Sequence, residues 1–251
     1  MIIKEIIAKK ILTKSRIEGI SYCINPYIGC QHSCRYCYAR FMKKFTGHKE
    51  NWGEFLDIKI NAPMLLQKQI IKIPIGKISL STVTDPYQPI EKKYNLTRQC
   101  LEILKLYNFP ISILTKSTLV IRDIDLFNSF NDLEVGLTIT TDNEYISKLF
   151  EPFASSISNR INALKELKNK KIKTYAFISP ILPMNPQNLI EKISPYTSYV
   201  LIDKLNYKYI AEKIYKKYNL IYAIDDKYFY ETIDKLKLLL NSKGIEYEVV
   251  C

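Results

Sequence analysis

Asn25-Pro-Tyr-Ile-Gly-Cys30-Gln-His-Ser-Cys34-Arg-Tyr-Cys37-Tyr-Ala-Arg40 is the stretch on which the fold and the chemistry turn. Three cysteines fall within eight residues at the spacing C-x3-C-x2-C. Three thiolates on one short loop can hold three corners of a cubane iron–sulfur cluster, and close backbone N–H groups supply the hydrogen bonds that its sulfurs need. An electron-transfer cubane takes four thiolates. No fourth cysteine lies at a standard offset, so one iron is left open for a small molecule. The competing reading is zinc, with His32 or His48 as the fourth ligand. Zinc sites usually pair two short knuckles, and no second knuckle is present.

Working outward, short apolar runs alternate with segments of helical period. Strands are predicted at Ser21–Ile28, Lys77–Ser81, Pro110–Thr115, Leu133–Thr140, Lys173–Ser179 and Ser198–Ile202. Several are almost continuously apolar, as strands of a covered parallel sheet are. Helices are predicted at Cys34–Lys44, Ala62–Ile71, Thr97–Tyr107, Leu119–Phe130, Asn159–Asn169 (with Ser158 as N-cap) and Pro186–Ile193. This alternation predicts an α/β fold of six βα units, an open version of a parallel barrel. Residues 206–251 read as a short C-terminal α/β extension on a core of residues 1–205. The extension holds an amphipathic helix at Asp226–Asn241, Gly244 just beyond it and a last strand at Ile245–Val250.

The 251 residues are enough for one large core. The net charge of +12 favours an anionic partner, and nucleic acid is one that the charge allows. Lysine abundance alone can also produce the excess. Lys4, Glu5, Lys9 and Lys10 break the apolar residues of the N-terminal stretch, so no signal-peptide core is expected. No apolar run approaches a membrane span. The expectation is a cytoplasmic protein with no membrane association. Cys23, Cys100 and Cys251 are too dispersed to form a second cluster; Cys100 reads as core, and Cys251 as a free thiol.

The cysteine loop, with an aromatic residue before its third cysteine, resembles the signature of the radical-SAM superfamily. More narrowly, Asn25–Arg40 is similar to the branch related to spore photoproduct lyase. Ser81-Thr-Val-Thr-Asp-Pro-Tyr-Gln-Pro-Ile-Glu91, Thr115-Lys-Ser117, Arg122-Asp123 and Glu151-Pro152 with Arg160 look like motifs of that branch, in order. The resemblance covers about residues 20–205. It implies a partial (β/α)6 barrel of the radical-SAM type, with the active site at the C-terminal ends of the strands. It implies a [4Fe-4S] cluster on Cys30, Cys34 and Cys37, with S-adenosyl-L-methionine (SAM) chelating the open iron. One electron from a low-potential donor of ferredoxin or flavodoxin type would then yield methionine and a 5′-deoxyadenosyl radical. By the same resemblance Tyr36 lies against the adenine and Tyr38 shapes the substrate side, where the related lyases use a tyrosine in radical relay. Thr84 contacts the SAM amino group and Lys116 its carboxylate; Thr138 or Thr140 meets methionyl or ribose groups. Arg160 holds SAM or the fold. Asp85, Gln88 and Glu91 offer polar groups near the substrate.

Two departures stand out. The related lyase carries a cysteine hydrogen donor after its second strand, and Thr82 occupies that place here. A hydroxyl O–H is too strong to replace a thiol in that role, which argues against repair of the spore thymine lesion by that route. Met184 stands where the family turn has glycine. Three functions remain open from the sequence. The first is radical-SAM chemistry on nucleic acid or a nucleotide. The second is the same chemistry on a peptide, protein or small molecule. The third is a non-catalytic cluster- or zinc-binding module.

Overall fold

A computed structural model describes residues 1–250 and groups them into two compact units. The Cys251 expectation lies outside the described residues. One unit comprises Met1–Ser33 and residues 39–135; the other comprises Cys34–Tyr38 and the chain from Gly136 onward. Among the described residues, no helix is long and apolar enough to cross a membrane.

The first unit carries strands β1 (Ile2–Ile6), β2 (Leu12–Lys14), β3 (Tyr22–Ile24), β4 (Tyr27–Ile28), β5 (Phe55–Lys59), β6 (Ile78–Leu80) and β7 (Ile111–Thr115), and the start of β8 (Leu133–Thr138). β3, β6 and β7 form a parallel ladder, with β2 antiparallel on the edge. Ile24, Ile78, Leu80, Ile111 and Ile113 are wholly buried along it, as the continuous apolar pattern requires. Helices Ala62–Ile70 and Leu96–Lys105 pack together beside it.

The expected strand Ser21–Ile28 is two strands in two sheets. Pro26 has no N–H for a ladder, and the Asn25 side chain accepts from the N–H groups of Thr82 (3.0 Å) and Val83 (3.1 Å) instead. The chain breaks there, and β4 joins a separate sheet of order β1-β5-β4. β1, β2 and β5 are additions to the sequence reading. The expected helix Cys34–Lys44 is a short 3-10 helix at Tyr38–Phe45, because the cysteine loop uses its residues in tight turns. Leu119–Phe130 is likewise a 3-10 turn at Thr118–Asp123 followed by one helical turn at Ile124–Phe127.

The second unit holds the rest of β8 with β9 (Lys173–Ile178), β10 (Tyr199–Ile202) and β11 (Glu246–Val249). β9, β10 and β11 run parallel, so the C-terminal tail supplies a strand to this sheet. Helix Pro186–Ile193 forms as expected: Pro186 suits the first turn, and Asn185 Oδ1 caps Asn188 N–H at 3.2 Å. Helix Ile157–Asn169 begins earlier than expected, because Ser156 rather than Ser158 is the cap. Helices Glu144–Phe150 and Lys208–Lys217 also belong here, and Asp226–Ser242 lies where its pattern placed it.

Gly136 sits in β8 where a Cβ would overlap the ring of Tyr175. That ring cannot swing freely, since it stacks on Tyr199 with centroids 5.0 Å apart. Gly136→Ala should therefore cost about 1–3 kcal/mol through overpacking, a fall of roughly 2–12 °C in melting temperature for a chain of this size. A variant that melts with the wild type would show that β8 and β9 have slack there.

Candidate active site

The two halves of the cysteine loop are held by different groups. In the first unit, Gly29 takes φ +93°, and its bare Cα lies against the Phe55 carbonyl, where a Cβ would clash. Its carbonyl accepts from Thr84 Oγ1 at 2.5 Å. Gln31 N–H donates to Gln88 Oε1 at 2.8 Å, and Gln31 Oε1 accepts from Ile90 N–H at 2.6 Å. His32 Nε2 lies 3.2 Å from Asp85 Oδ2. Ser33, with φ +52°, turns back so that its N–H reaches Cys30 O at 3.2 Å. The segment Thr84–Ile90 thus grips the loop residue by residue.

Asp85 is the hub of that grip. Its carboxylate also accepts from Thr115 Oγ1 (2.6 Å), Lys116 N–H (2.9 Å) and Tyr87 N–H (2.9 Å). Burial would raise its pKa, but facing His32 and these donors hold it at about 2. It stays ionised and ties the loop to the end of β7. Gln88 and Glu91, expected near the substrate, are instead wholly buried and committed to protein groups. Gln88 bridges Gln31 and Thr84. Glu91 accepts from Tyr27 OH, from Thr97 N–H at 3.1 Å and from Arg122 Nη2 at 3.0 Å. Arg122 also pairs with Asp123, which receives Tyr87 OH at 3.0 Å and Arg98 Nη1 at 3.0 Å. Both groups left the substrate side because a buried carboxylate or amide must find partners, and these lie within the fold.

In the second unit, Arg35 N–H donates to Phe150 O at 2.8 Å. Tyr36 OH donates to Glu151, which is ion-paired at 2.6 Å with Arg160. Arg160 further donates to Ser155 O (2.7 Å) and Thr138 O (2.9 Å). Glu151 and Arg160 are essentially inaccessible to solvent. Burial and the adjacent carboxylate push the Tyr36 phenol well up, so it remains a proton donor. The guanidinium is thus engaged with the fold, and Tyr36 is fixed by its hydroxyl. Cys34 and Tyr36 pack among Phe150, Leu182, Leu205 and Tyr215. Tyr38 is 44% exposed and stacks on Tyr207.

Of the other expected residues, Thr84 has its hydroxyl between Gly29 O and Gln88 Nε2, and Lys116 is half-buried at the end of β7. Thr138 is buried, its carbonyl taken by Arg160. Thr140 is wholly buried, and its Oγ1 has no hydrogen-bond partner among the described residues. Ser81, buried at φ +64° just past β6, likewise has an Oγ with no hydrogen-bond partner among the described residues; it opens the Ser81–Glu91 motif, but the sequence reading gave it no role. Asp203, past β10, was also not foreseen. Cys23 and Cys100 are buried core residues, and burial pushes the Cys100 thiol up and out of reactivity.

These residues fit a cluster with a bound sulfonium ligand. Cys30 and Cys34 are buried and Cys37 is half-buried, on tight turns in which Ser33 N–H donates to Cys30 O and Cys37 N–H to Cys34 O, each at 3.2 Å. Buried unpartnered hydroxyls such as Thr140 Oγ1 suit a polar ligand that completes them. Among the described residues, no three His, Cys, Asp or Glu side chains gather as ligands of one metal ion; a cubane takes each thiolate at a separate corner.

Removing Glu151 would strand the buried Arg160 charge. Glu151→Ala should lower unfolding free energy by about 3–5 kcal/mol. Glu151→Gln, which keeps the hydrogen-bond acceptor for Tyr36, should cost less. Denaturant titration gives both values; equal, small effects would show that the pair does not hold the loop.

The family model of the radical SAM superfamily matches residues 24–193. An uncharacterized protein of Methanocaldococcus jannaschii is 40% identical over 253 residues, covering 97% of this chain and 95% of that one. A radical SAM Nalpha-GlyT isomerase of Pseudomonas phage M6 is 26% identical over 162 residues, covering 63% of this chain and 32% of that one. Among solved structures, a spore photoproduct lyase variant with bound AdoMet and dinucleoside spore photoproduct aligns at TM-score 0.72 and 15% identity, covering 98% of this chain and 80% of the other. The mixed α/β architecture with its parallel strands is accordingly that of the radical-SAM partial barrel, and the chain belongs to the radical SAM superfamily.

Proposed function

We propose that the protein reductively cleaves SAM at a [4Fe-4S] cluster held by Cys30, Cys34 and Cys37, and directs the radical to a nucleic acid or nucleotide. The observation that carries the reading is the C-x3-C-x2-C spacing of Cys30, Cys34 and Cys37; within the first unit Thr84, Asp85 and Gln88 hold Gly29, His32 and Gln31, and within the second Glu151 holds Tyr36. When bound, the reduced cluster and SAM supply one-electron scission of a C–S bond and a primary carbon radical that abstracts hydrogen.

The chain's own residues do the rest. Cys30, Cys34 and Cys37 would bind three irons as thiolates. Asp85 fixes the loop through His32 and positions the Lys116 backbone; its role is to orient rather than to touch substrate. Lys116 would pair with the SAM carboxylate as a point charge. Thr140 Oγ1 would give its hydrogen bond to the cofactor. Tyr36, locked to Glu151, would present its ring as a flat wall to the adenine. The apolar side chains around Cys34 exclude water from the sulfurs. A low-potential ferredoxin or flavodoxin would deliver the electron. Nucleic acid as substrate is supported by the net charge of +12 and by the dinucleoside bound in the aligned lyase. Thr82 in place of a thiol favours an outcome other than spore-lesion repair.

Anaerobically reconstituted protein with a strong reductant and SAM should release 5′-deoxyadenosine. Cys30→Ala, Cys34→Ala or Cys37→Ala should each abolish release while Cys23→Ala leaves it intact. Release unaffected by all three loop variants would overturn the reading.

A further inference from the structure

Past β10 the chain makes a built turn. Asp203 accepts from Lys204 N–H (2.7 Å) and from Asn206 Nδ2 (3.1 Å). Leu205 is driven inward, which leaves Tyr207 facing out, 47% exposed, at the start of helix Lys208–Lys217. Tyr207 stacks on Tyr38 with centroids 6.2 Å apart and planes 19° from parallel. Tyr209, 74% exposed, meets Tyr207 edge-on at 6.4 Å. Three exposed aromatic rings therefore form a continuous row that starts one residue after Cys37.

The row runs into positive charge. Residues 204–217 contain Lys204, Lys208, Lys213, Lys216 and Lys217 against one acidic residue, Glu212. Lys208 is paired with Asp226 and Lys216 with Glu212, both at 2.5 Å. Lys213 and Lys217 are exposed. Tyr209, Lys213 and Lys217 share one helix face at i, i+4 and i+8. The opposite face, with Ala211, Ile214 and Tyr215, is buried. Single-strand binders combine exposed aromatic rings of this kind with a basic track.

We infer that Tyr38, Tyr207 and Tyr209 form a stacking platform for unpaired bases, with Lys213 and Lys217 taking the backbone phosphates of a single-stranded nucleic acid. This deepens the proposed function and rests on its nucleic-acid reading. The platform would bring a base to the side of the cysteine loop that Tyr38 occupies.

The test uses intact, oxygen-protected protein and a fluorescein-labelled single-stranded oligonucleotide, read by anisotropy without SAM. Tyr207→Ala and Tyr209→Ala should each weaken binding by about ten-fold, while Tyr207→Phe retains it. Lys213→Gln and Lys217→Gln should each reduce the slope of log affinity against log salt by about 0.7. Tyr145→Ala, an exposed tyrosine on another helix, should change nothing. Unchanged affinity in Tyr207→Ala, or a wild-type chain that ignores the oligonucleotide at low salt, overturns the platform. So does an abasic strand that binds as well as the intact one. Adding SAM and a strong reductant to a second portion of each preparation and measuring 5′-deoxyadenosine separates the claims: release without strand binding sinks the platform alone, and strand binding without release sinks the SAM-cleavage reading alone.

Discussion

Glu151 and Arg160 face each other at 2.6 Å with neither accessible to solvent. Two enclosed charges are tolerable only as a pair with their remaining valences filled. Here Tyr36 donates to Glu151, and Ser155 O and Thr138 O accept from Arg160 Nε and Nη1. The consequence is positional. Tyr36 lies between two of the three loop cysteines, so a rigid acceptor for its hydroxyl fixes the second half of the loop. Asp85 does the same for the first half through His32. Each carboxylate thus limits the freedom of its own part of the loop.

The same logic explains why motifs of the sequence serve the site at one remove. Arg122-Asp123 and Glu91 look like active-site chemistry in a linear reading. In the fold they form one polar network with Tyr27, Tyr87, Arg98 and Thr97. That network holds the Thr84–Ile90 segment, which in turn holds the loop. Catalytic residues in the strict sense reduce to those that would touch the cofactors.

The legible parts of the molecule were those encoded locally. The cysteine spacing, the apolar runs of β6, β7, β9 and β10, and the Asn185-Pro186 helix start all act within a few residues. What stayed hidden depends on distant partners. β1 reads Ile-Ile-Lys-Glu-Ile, broken by charge, and becomes a strand only because β5 pairs with it across some fifty residues. The sequence placed a cap at Ser158; the helix is capped by Ser156 instead, where the Glu144 carboxylate takes the N–H groups of Ile157 and Ser158. Gln88 and Glu91 could not be told from substrate-facing groups, because only burial reveals where their partners lie. The turn at Asp203 that aims Tyr207 outward was invisible for the same reason.

The cysteine loop is proposed to bind a cubane with one iron open to SAM. The direct measurement is electron paramagnetic resonance of the anaerobically reconstituted, reduced protein, with iron quantified in the same sample. The expected result is about four irons per chain and a cluster signal that shifts when SAM is added. A chain that instead holds one zinc, or a cluster whose signal SAM leaves untouched, would contradict it.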